Sequence, residues 1–424
     1  MRRTHTEPGA HFAPEVRNII RLTMAFAEAV GANQQDAGDN LIVSPYNHLR
    51  FLSMIAKGAA GTMREEMAQV LFNADEARLD DEIAKLITLN QTILDANKDK
   101  VTLKTATAFW VNSDFARLKD TYARSMEQLF SSLITNKSFA ANPNLAADAN
   151  TWASDNTKEK PTDEKGLITH IADKFDGDMA AFLASALYFK GMWTNKFDPK
   201  LTDLNKKFTS DGGEEFFTPI MHREFAEGQV TYQQDDDYEA IALTYAEKNP
   251  RERKYPSMRI VLVRPTDAAM SARNWMAAQA AGGVPAWLDP YQFEDARGIV
   301  ELPRMDMKQR HNLIPPLQQV GLKTLFTPAA NFSNMIESGR ALEFSECKED
   351  IVFETDENGS TGASIVSGGI RATSVQAPPR RINIHFDRSF VFAVQDIATG
   401  TVIFTGAVNK PNKDMRPVPA PAAG

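Results

Sequence analysis

The stretch Phe182–Tyr188 reads FLASALY, a near-continuous apolar run. A run of that length suits a strand buried on both faces inside a large sheet. The one cysteine, Cys347, removes any internal disulfide and every cysteine-based zinc site, so the fold must stand on packing. At 424 residues and 43% hydrophobic content the chain can bury a large core. A net charge of -8 argues against nucleic acid or an anionic membrane as partner. No apolar run reaches membrane-spanning length, and MRRTHTEPGAHFAPEV at the start has no apolar leader core, so no secretory signal is expected. Residues 1–12 and the Pro/Ala-rich 412–424 are expected to be disordered.

Along the chain, Pro14–Val30 places Val16, Ile19, Ile20, Phe26 and Val30 on one helical face, with Gly31 at the stop. Leu41–Val43 is a short buried strand, broken by Ser44-Pro45 and followed by an apolar helix through Phe51, Leu52, Met54 and Ile55. Thr62 and Glu65 have the spacing of a capping box. Val101–Val111 and Ser131–Phe139 read as strands around a helix through Tyr122 and Met126. Ala146–Thr157 is a helix. Short strands are expected at Thr218–His222, Gln229–Gln233, Glu239–Thr244 and Arg259–Val263. Lys248–Pro256 is a charged surface loop, Asn274–Gly282 a helix, Gly298–Met307 a strand, and His311–Val320 a helix closed by Gly321. Asp350–Thr355 is a strand, and Phe390–Asp396 with Thr401–Ala407 forms a hairpin. Helices dominate the first third and strands the last half, which argues for α+β.

The stretch Glu354–Ile382 has two halves of opposite character. Between Glu357 and Arg371 it carries no charge, and before Pro378 no proline. Gly/Ser-rich runs are ordinarily linkers, yet this one could also lie in a strand with few steric objections.

Several segments in order resemble the serpin family. Asn40–Leu71 is similar to its strand, Ser-Pro, apolar helix and G-x-x-G-x-T turn. Asn150-x-Trp152 with Thr157 matches the N-x-W helix. Ala186-Leu187-Tyr188-Phe189-Lys190-Gly191-x-Trp193, with Phe197 and Thr202, resembles the most recognisable strand. Leu302-Pro303-Arg304, Glu357-x-Gly359-Ser360, Phe390-x-Phe392 and Phe404-x-Gly406 complete the series. The resemblance covers residues 13–411 as a single domain, of the prokaryotic type without a signal peptide. It implies an α+β serpin fold with three β-sheets, about nine helices and an exposed reactive loop over about residues 358–382.

The same resemblance implies a suicide-substrate inhibitor of serine endopeptidases, with cysteine endopeptidases as a further target class. In the family the loop is cut, and its freed part inserts as a new strand in the large sheet, releasing strain stored in the native fold. Side chains alternate faces along a strand, so Ser360, Gly362, Ser364 and Val366 would turn inward, and all are small. Thr361 stands where an acidic residue is usual, Gly362 where alanine is usual, and Ala363 lies between the inward positions. Family spacing puts the scissile bond between Thr373 and Ser374, for elastase- or subtilisin-like enzymes; the alternative, Arg371–Ala372, would suit trypsin-like ones. Glu357 and Arg304 are expected to pair where insertion begins, with Trp193 packed beside them. At the polar cluster where the sheet opens, Ser44 fits, while Asn47 replaces serine, Ser185 replaces asparagine and Glu349 replaces histidine.

No cofactor or metal is expected: seven histidines are scattered, without H-E-x-x-H, and no G-x-S-x-G appears. The expected partner is a target endopeptidase and the expected state a monomer. With no leader the default location is cytoplasmic, although the family is often extracellular. A serpin-like binding or chaperone protein that never inserts its loop is the competing reading, and a hydrolase of unrelated α+β fold the third.

Overall fold

The computed structural model describes residues 7–34, 38, 40–245, 258–337, 344, 347–359, 380–412 and 415–418. Its first half is mainly helical. α1 (Pro14–Ala32) buries the face its periodicity assigns to the core. β1 (Leu41–Val43) leads into α2 (Pro45–Gly58), capped by the Ser44 hydroxyl accepting from Asn47 N. α3 (Thr62–Phe72) starts one residue earlier than a Thr62 cap requires. Its N-cap is Gly61 at φ +57°, a conformation glycine tolerates, and no side chain caps it, so the capping box does not form. α4 (Leu79–Asn97), β2 (Thr102–Asn112), β3 (Arg117–Leu118), α5 (Asp120–Phe130), β4 (Leu133–Lys137), α6 (Leu145–Asn156) and β5 (Ala181–Lys190) follow.

The second half is mainly strand. β6 (Asp203–Thr209) precedes β7 (Glu215–Gln234), one continuous strand where two short ones are expected. The polar link Arg223–Gly228 hides this in the sequence, yet Arg223, Glu224 and Phe225 pair with β10. β8 (Tyr238–Thr244), β9 (Met258–Pro265), α7 (Ala272–Ala278) and β10 (Glu294–Pro303) come next. The single strand expected over Gly298–Met307 is split. Pro303 ends β10, Arg304 N turns to Pro219 O, and β11 (Met305–Asn312) joins another sheet. His311 therefore lies on a strand, and α8 (Ile314–Gln319) begins later than expected. β12 (Ile336–Glu337), β13 (Lys348–Thr355), β14 (Arg380–His385), β15 (Phe390–Asp396), β16 (Val402–Val408) and β17 (Arg416–Pro417) complete the chain.

Ten strands form one sheet, in the order β1-β16-β15-β9-β8-β7-β10-β14, with β6 and β17 added on β7. Its strands alternate between two cores. Val391 and Ala393 of β15 face α1 and α7, while Phe390, Phe392 and Val394 face the second layer. That second layer is the expected large sheet in two parts, β4-β2-β5 and β11-β13. A third small core sits under α6, where Trp110 and Trp152 meet edge to face at 5.7 Å.

Both termini are partly ordered, against expectation. Gly9 N donates to Asp289 Oδ2 at 2.9 Å, and buried Phe12 packs over Gly400. At the other end β17 pairs with Phe216 and Phe217. Local composition signals disorder there because neither segment has a face of its own; a ready-made surface supplies one. The Lys248–Pro256 insert lies outside the described residues.

β1 and β16 approach closely at Gly406, where an added Cβ would sit 1.9 Å from Leu41 O. Gly406→Ala is expected to destabilise by ~3 kcal/mol, read as a lowered denaturation midpoint.

Candidate functional site

Among the described residues no ladder joins β5 to β13. Among those residues β5 pairs only with β2 and β13 only with β11, so each turns an edge unpaired there toward a shared cleft. The cleft holds two cavities. The lower, about 370 Å³, runs between Ala181–Ala186 and Lys348–Asp350. The upper, about 220 Å³, lies between Leu187–Phe189 and Val352–Glu354. This explains why β5 is only half-buried, although its apolar run suits full burial: one edge faces the cleft.

The two strands meet at the top. After β13, residues 356–359 make a tight turn with Gly359 at φ +125°. Gly359 bridges Met192, and Trp193 N donates to Asn358 O at 3.0 Å. A Cβ on Gly359 would fall 2.5 Å from Gly191 O, so only glycine allows this approach. Trp193 is buried, stacks on Tyr245 at 5.1 Å, and donates its indole N–H to Asp356 O.

Glu357 turns inward and is 5% exposed. Arg304 meets it with a fork: Nε reaches Oε1 and Oε2 at 2.9 and 3.1 Å, and Nη2 reaches Oε1 at 2.7 Å. Thr202 Oγ1 donates to Oε1 at 2.5 Å. Burial pushes the carboxyl up, but the hydrogen bonds from Arg304 and Thr202 outweigh it and hold its pKa below the ordinary glutamate value. Arg304 and Glu357 form an ion pair, and Trp193 holds the neighbouring Asp356 and Asn358 carbonyls. Thr202 belongs to a recognised segment, but nothing local in the sequence reveals its partner.

The polar cluster lies at the floor of the lower cavity. Ser44 Oγ donates to Ile403 O at 2.9 Å. Ser185 Oγ donates to Asn47 Oδ1 at 2.6 Å, and Asn47 Nδ2 reaches Ser185 O at 3.4 Å. These bonds tie α2 to β5. Glu349 faces His48 of α2, with Nε2 and Oε2 2.9 Å apart and both side chains 5% exposed. Nothing in the sequence singles out His48; only the packing of α2 under β13 gives it a partner. Burial lowers the pKa of neighbouring His311, whose Nε2 lies 2.8 Å from Ile42 O.

The return loop after α6 roofs the cleft. Asn150 Oδ1 accepts from Ile171 N and Ala172 N at 2.6 and 3.0 Å, and Thr157 Oγ1 accepts from Ile168 N at 3.0 Å. The N-x-W…T pattern therefore ties the loop down on one side. On the other, Arg310 of β11 donates to His170 O at 3.0 Å while bonding Asp350 at 2.7 Å.

The remaining expected residues, Ser360, Thr361, Gly362, Ala363, Ser364, Val366, Arg371, Ala372, Thr373 and Ser374, lie outside the described residues. Among the described residues no cluster of three or more His, Cys, Asp or Glu could hold a metal. Burial pushes the Cys347 thiol up to about 12, which leaves it inert.

The family model described as Serpin (serine protease inhibitor) matches residues 19–411. Serpin-Z10 of Arabidopsis thaliana is 27% identical over 406 residues, covering 93% of this chain and 96% of that one. Arabidopsis AtSerpin1 in its native stressed conformation aligns with a TM-score of 0.76 at 21% identity, over 94% of this chain and 98% of that one. Human thyroxine-binding globulin in complex with its ligand aligns at 0.74 and 18% identity, over 95% and 100%.

Arg304→Met should strand the Glu357 carboxylate and cost ~2 kcal/mol at pH 7, below the fully buried limit because Arg304 is a third exposed. The depressed pKa means this stabilisation is present above the ordinary glutamate value of about 4.3 and is lost as pH falls through the folded value. The gap in melting midpoint between variant and parent should therefore narrow as pH falls below about 4.3. For the Asn47–Ser185 bond, Asn47→Ala and Ser185→Ala should show a coupling of ~1 kcal/mol in a double-mutant cycle. Asn47→Ser with Ser185→Asn should recover most of what either exchange alone loses.

Proposed function

The chain belongs to the serpin family, and on that premise we propose that it inhibits serine endopeptidases once per molecule, by inserting its own cleaved loop between β5 and β13. Serpins are protease inhibitors in general rather than enzymes, and some bind ligands instead, as the thyroxine-binding globulin complex illustrates. The observation that carries the inhibitory reading is the pair of free strand edges facing each other below a turn from which the chain leaves at Gly359.

The chemistry belongs to the protease. Its serine oxygen adds to the Thr373 carbonyl, the C–N bond to Ser374 breaks, and the Ser374 amine leaves with a proton. The freed segment then runs down the cleft antiparallel to both β5 and β13. Each edge gains a ladder, and the acylated protease is carried along. Ser360, Gly362, Ser364 and Val366 turn inward over Leu187, Ile351 and the other floor residues, where bulk or charge would block burial. Glu357 and Gly359 serve as the hinge, with Arg304 and Trp193 bracing the point of entry. Ser44, Asn47, Ser185 and Glu349 lie where the strands part. The 360–379 segment joins β13 to β14, on another sheet, so uncut it is held at both ends. The target is read as elastase- or subtilisin-like through Thr373, or trypsin-like if Arg371 is the residue cut. The inhibitor acts as a monomer, without cofactor, nucleic acid or membrane.

One observation favours the second reading, a serpin-like binding or chaperone protein. The floor carries a buried carboxylate, Glu349, which an inserted strand would seal further from water, at added cost.

Incubation with elastase-, subtilisin- and trypsin-like proteases should give a covalent complex that survives boiling in detergent with at least one. Loop cleavage should raise the melting midpoint by ~10 °C or more, because each new ladder bond contributes about 1 kcal/mol. Ser364→Arg should abolish the complex while leaving cleavage intact. Clean cleavage without complex and without a midpoint rise would transfer the case to the binding reading.

A further inference from the structure

We propose that the lower cavity binds a small organic cation, an aryl-alkyl amine whose ammonium meets Glu349 and whose ring lies among the aromatic walls. The cavity, at about 370 Å³, is of the size that takes small ligands. Phe51 of α2, Trp152 of α6, Phe182 of β5, Phe332 and Phe344 line it. Phe51 and Phe344 meet edge to face at 6.3 Å, so ring faces and edges are both on offer to a third ring.

The floor supplies the polar anchor. Glu349 and His48 stand 2.9 Å apart, yet the angles are poor. Glu349 Oε2 and both His48 ring nitrogens have no aligned hydrogen-bond partner among the described residues. A buried carboxylate oxygen without an aligned donor is costly, so a donor that meets it as the Glu349 side chain turns toward the cavity gains that penalty back. His311, the other imidazole near Glu349, spends its Nε2 on Ile42 O.

The sign of the ligand charge follows from the wall. Asp178, Glu349 and Asp350 line the cavity against one ammonium, Lys348, and one imidazole, His48. Arg310 offsets Asp350 from outside the cavity. An anion could use a His48 N–H, but it would do so beside the Glu349 carboxylate and against a wall with more carboxylates than cations. A cation meets an acceptor there and aromatic faces above it.

This site shares the cleft of the insertion reading but does not depend on insertion itself. Binding is measured without a protease, so the two fail separately: a protein that binds the amine and never traps a protease keeps this site and loses the other reading. The test is calorimetric titration of the intact protein with 4-phenylbutylamine, and with 4-phenylbutanol and 4-phenylbutanoate as charge controls. We expect saturable one-to-one binding of the amine, at least tenfold weaker binding of the alcohol, and none of the carboxylate. Glu349→Gln should weaken the amine at least tenfold. Absence of saturable binding at millimolar amine, equal affinity for the three probes, or full affinity in Glu349→Gln would each overturn the proposal. Should that variant fail to fold, quenching of Trp152 fluorescence in the parent protein decides. Loss of the amine-induced change in Trp152→Phe supports the site, and its persistence refutes it.

Discussion

Two backbone edges with no partner among the described residues organise this molecule. A strand edge is a row of donors and acceptors, and proteins ordinarily pair, cover or blunt it. Here β5 and β13 each leave one edge toward the same cleft, and the loop after α6 covers both. Covering is the weaker solution, because a roof excludes bulk water without supplying a ladder. The rest of the architecture reads as support for that arrangement. The ten-stranded sheet gives a rigid floor through Phe353 stacked on Phe392 at 4.8 Å, and α2 carries the polar cluster beneath the gap.

Charge is placed where the edges converge, and there the balance of terms is clear. Glu357 is buried beside a turn, which by itself disfavours the carboxylate. Three hydrogen bonds from one guanidinium and one from a hydroxyl reverse that. The result is a defined anchor for the turn that ends at Gly359. Glu349, at the other end of the cleft, has no comparable fork. It faces an imidazole at ion-pair distance without aligned hydrogen bonds. One end of the cleft is therefore electrostatically satisfied, and at the other a buried ion pair lacks aligned hydrogen bonds.

Much of the fold is legible in the chain. Periodicity marks α1, α2, β2, β8, β9 and the β15–β16 hairpin, since each carries its own apolar pattern. Glu357, Gly359, Arg304 and Trp193 are legible through their similarity to a known order of segments. Three departures from the pattern share one cause. β7 reads as two strands, β10–β11 as one, and both termini as disordered, because in each case the deciding partner is remote. The pairing of Glu224 with Ile299, the bond from Arg304 N to Pro219 O, and the docking of Arg416 on Phe217 leave no local trace.

What the sequence by itself determined is which segments are apolar enough to be strands and helices, that no covalent staple holds them, and that the stretch after Glu357 is small and uncharged enough to enter a sheet. Tertiary structure alone decided that β5 and β13 face each other with no ladder between them among the described residues, that Asn47 bonds Ser185, and that His48 lies against Glu349. The physical reason is that local pattern reports how a residue partitions between water and core. Which donor meets which acceptor depends on backbone positions contributed by residues remote in the chain.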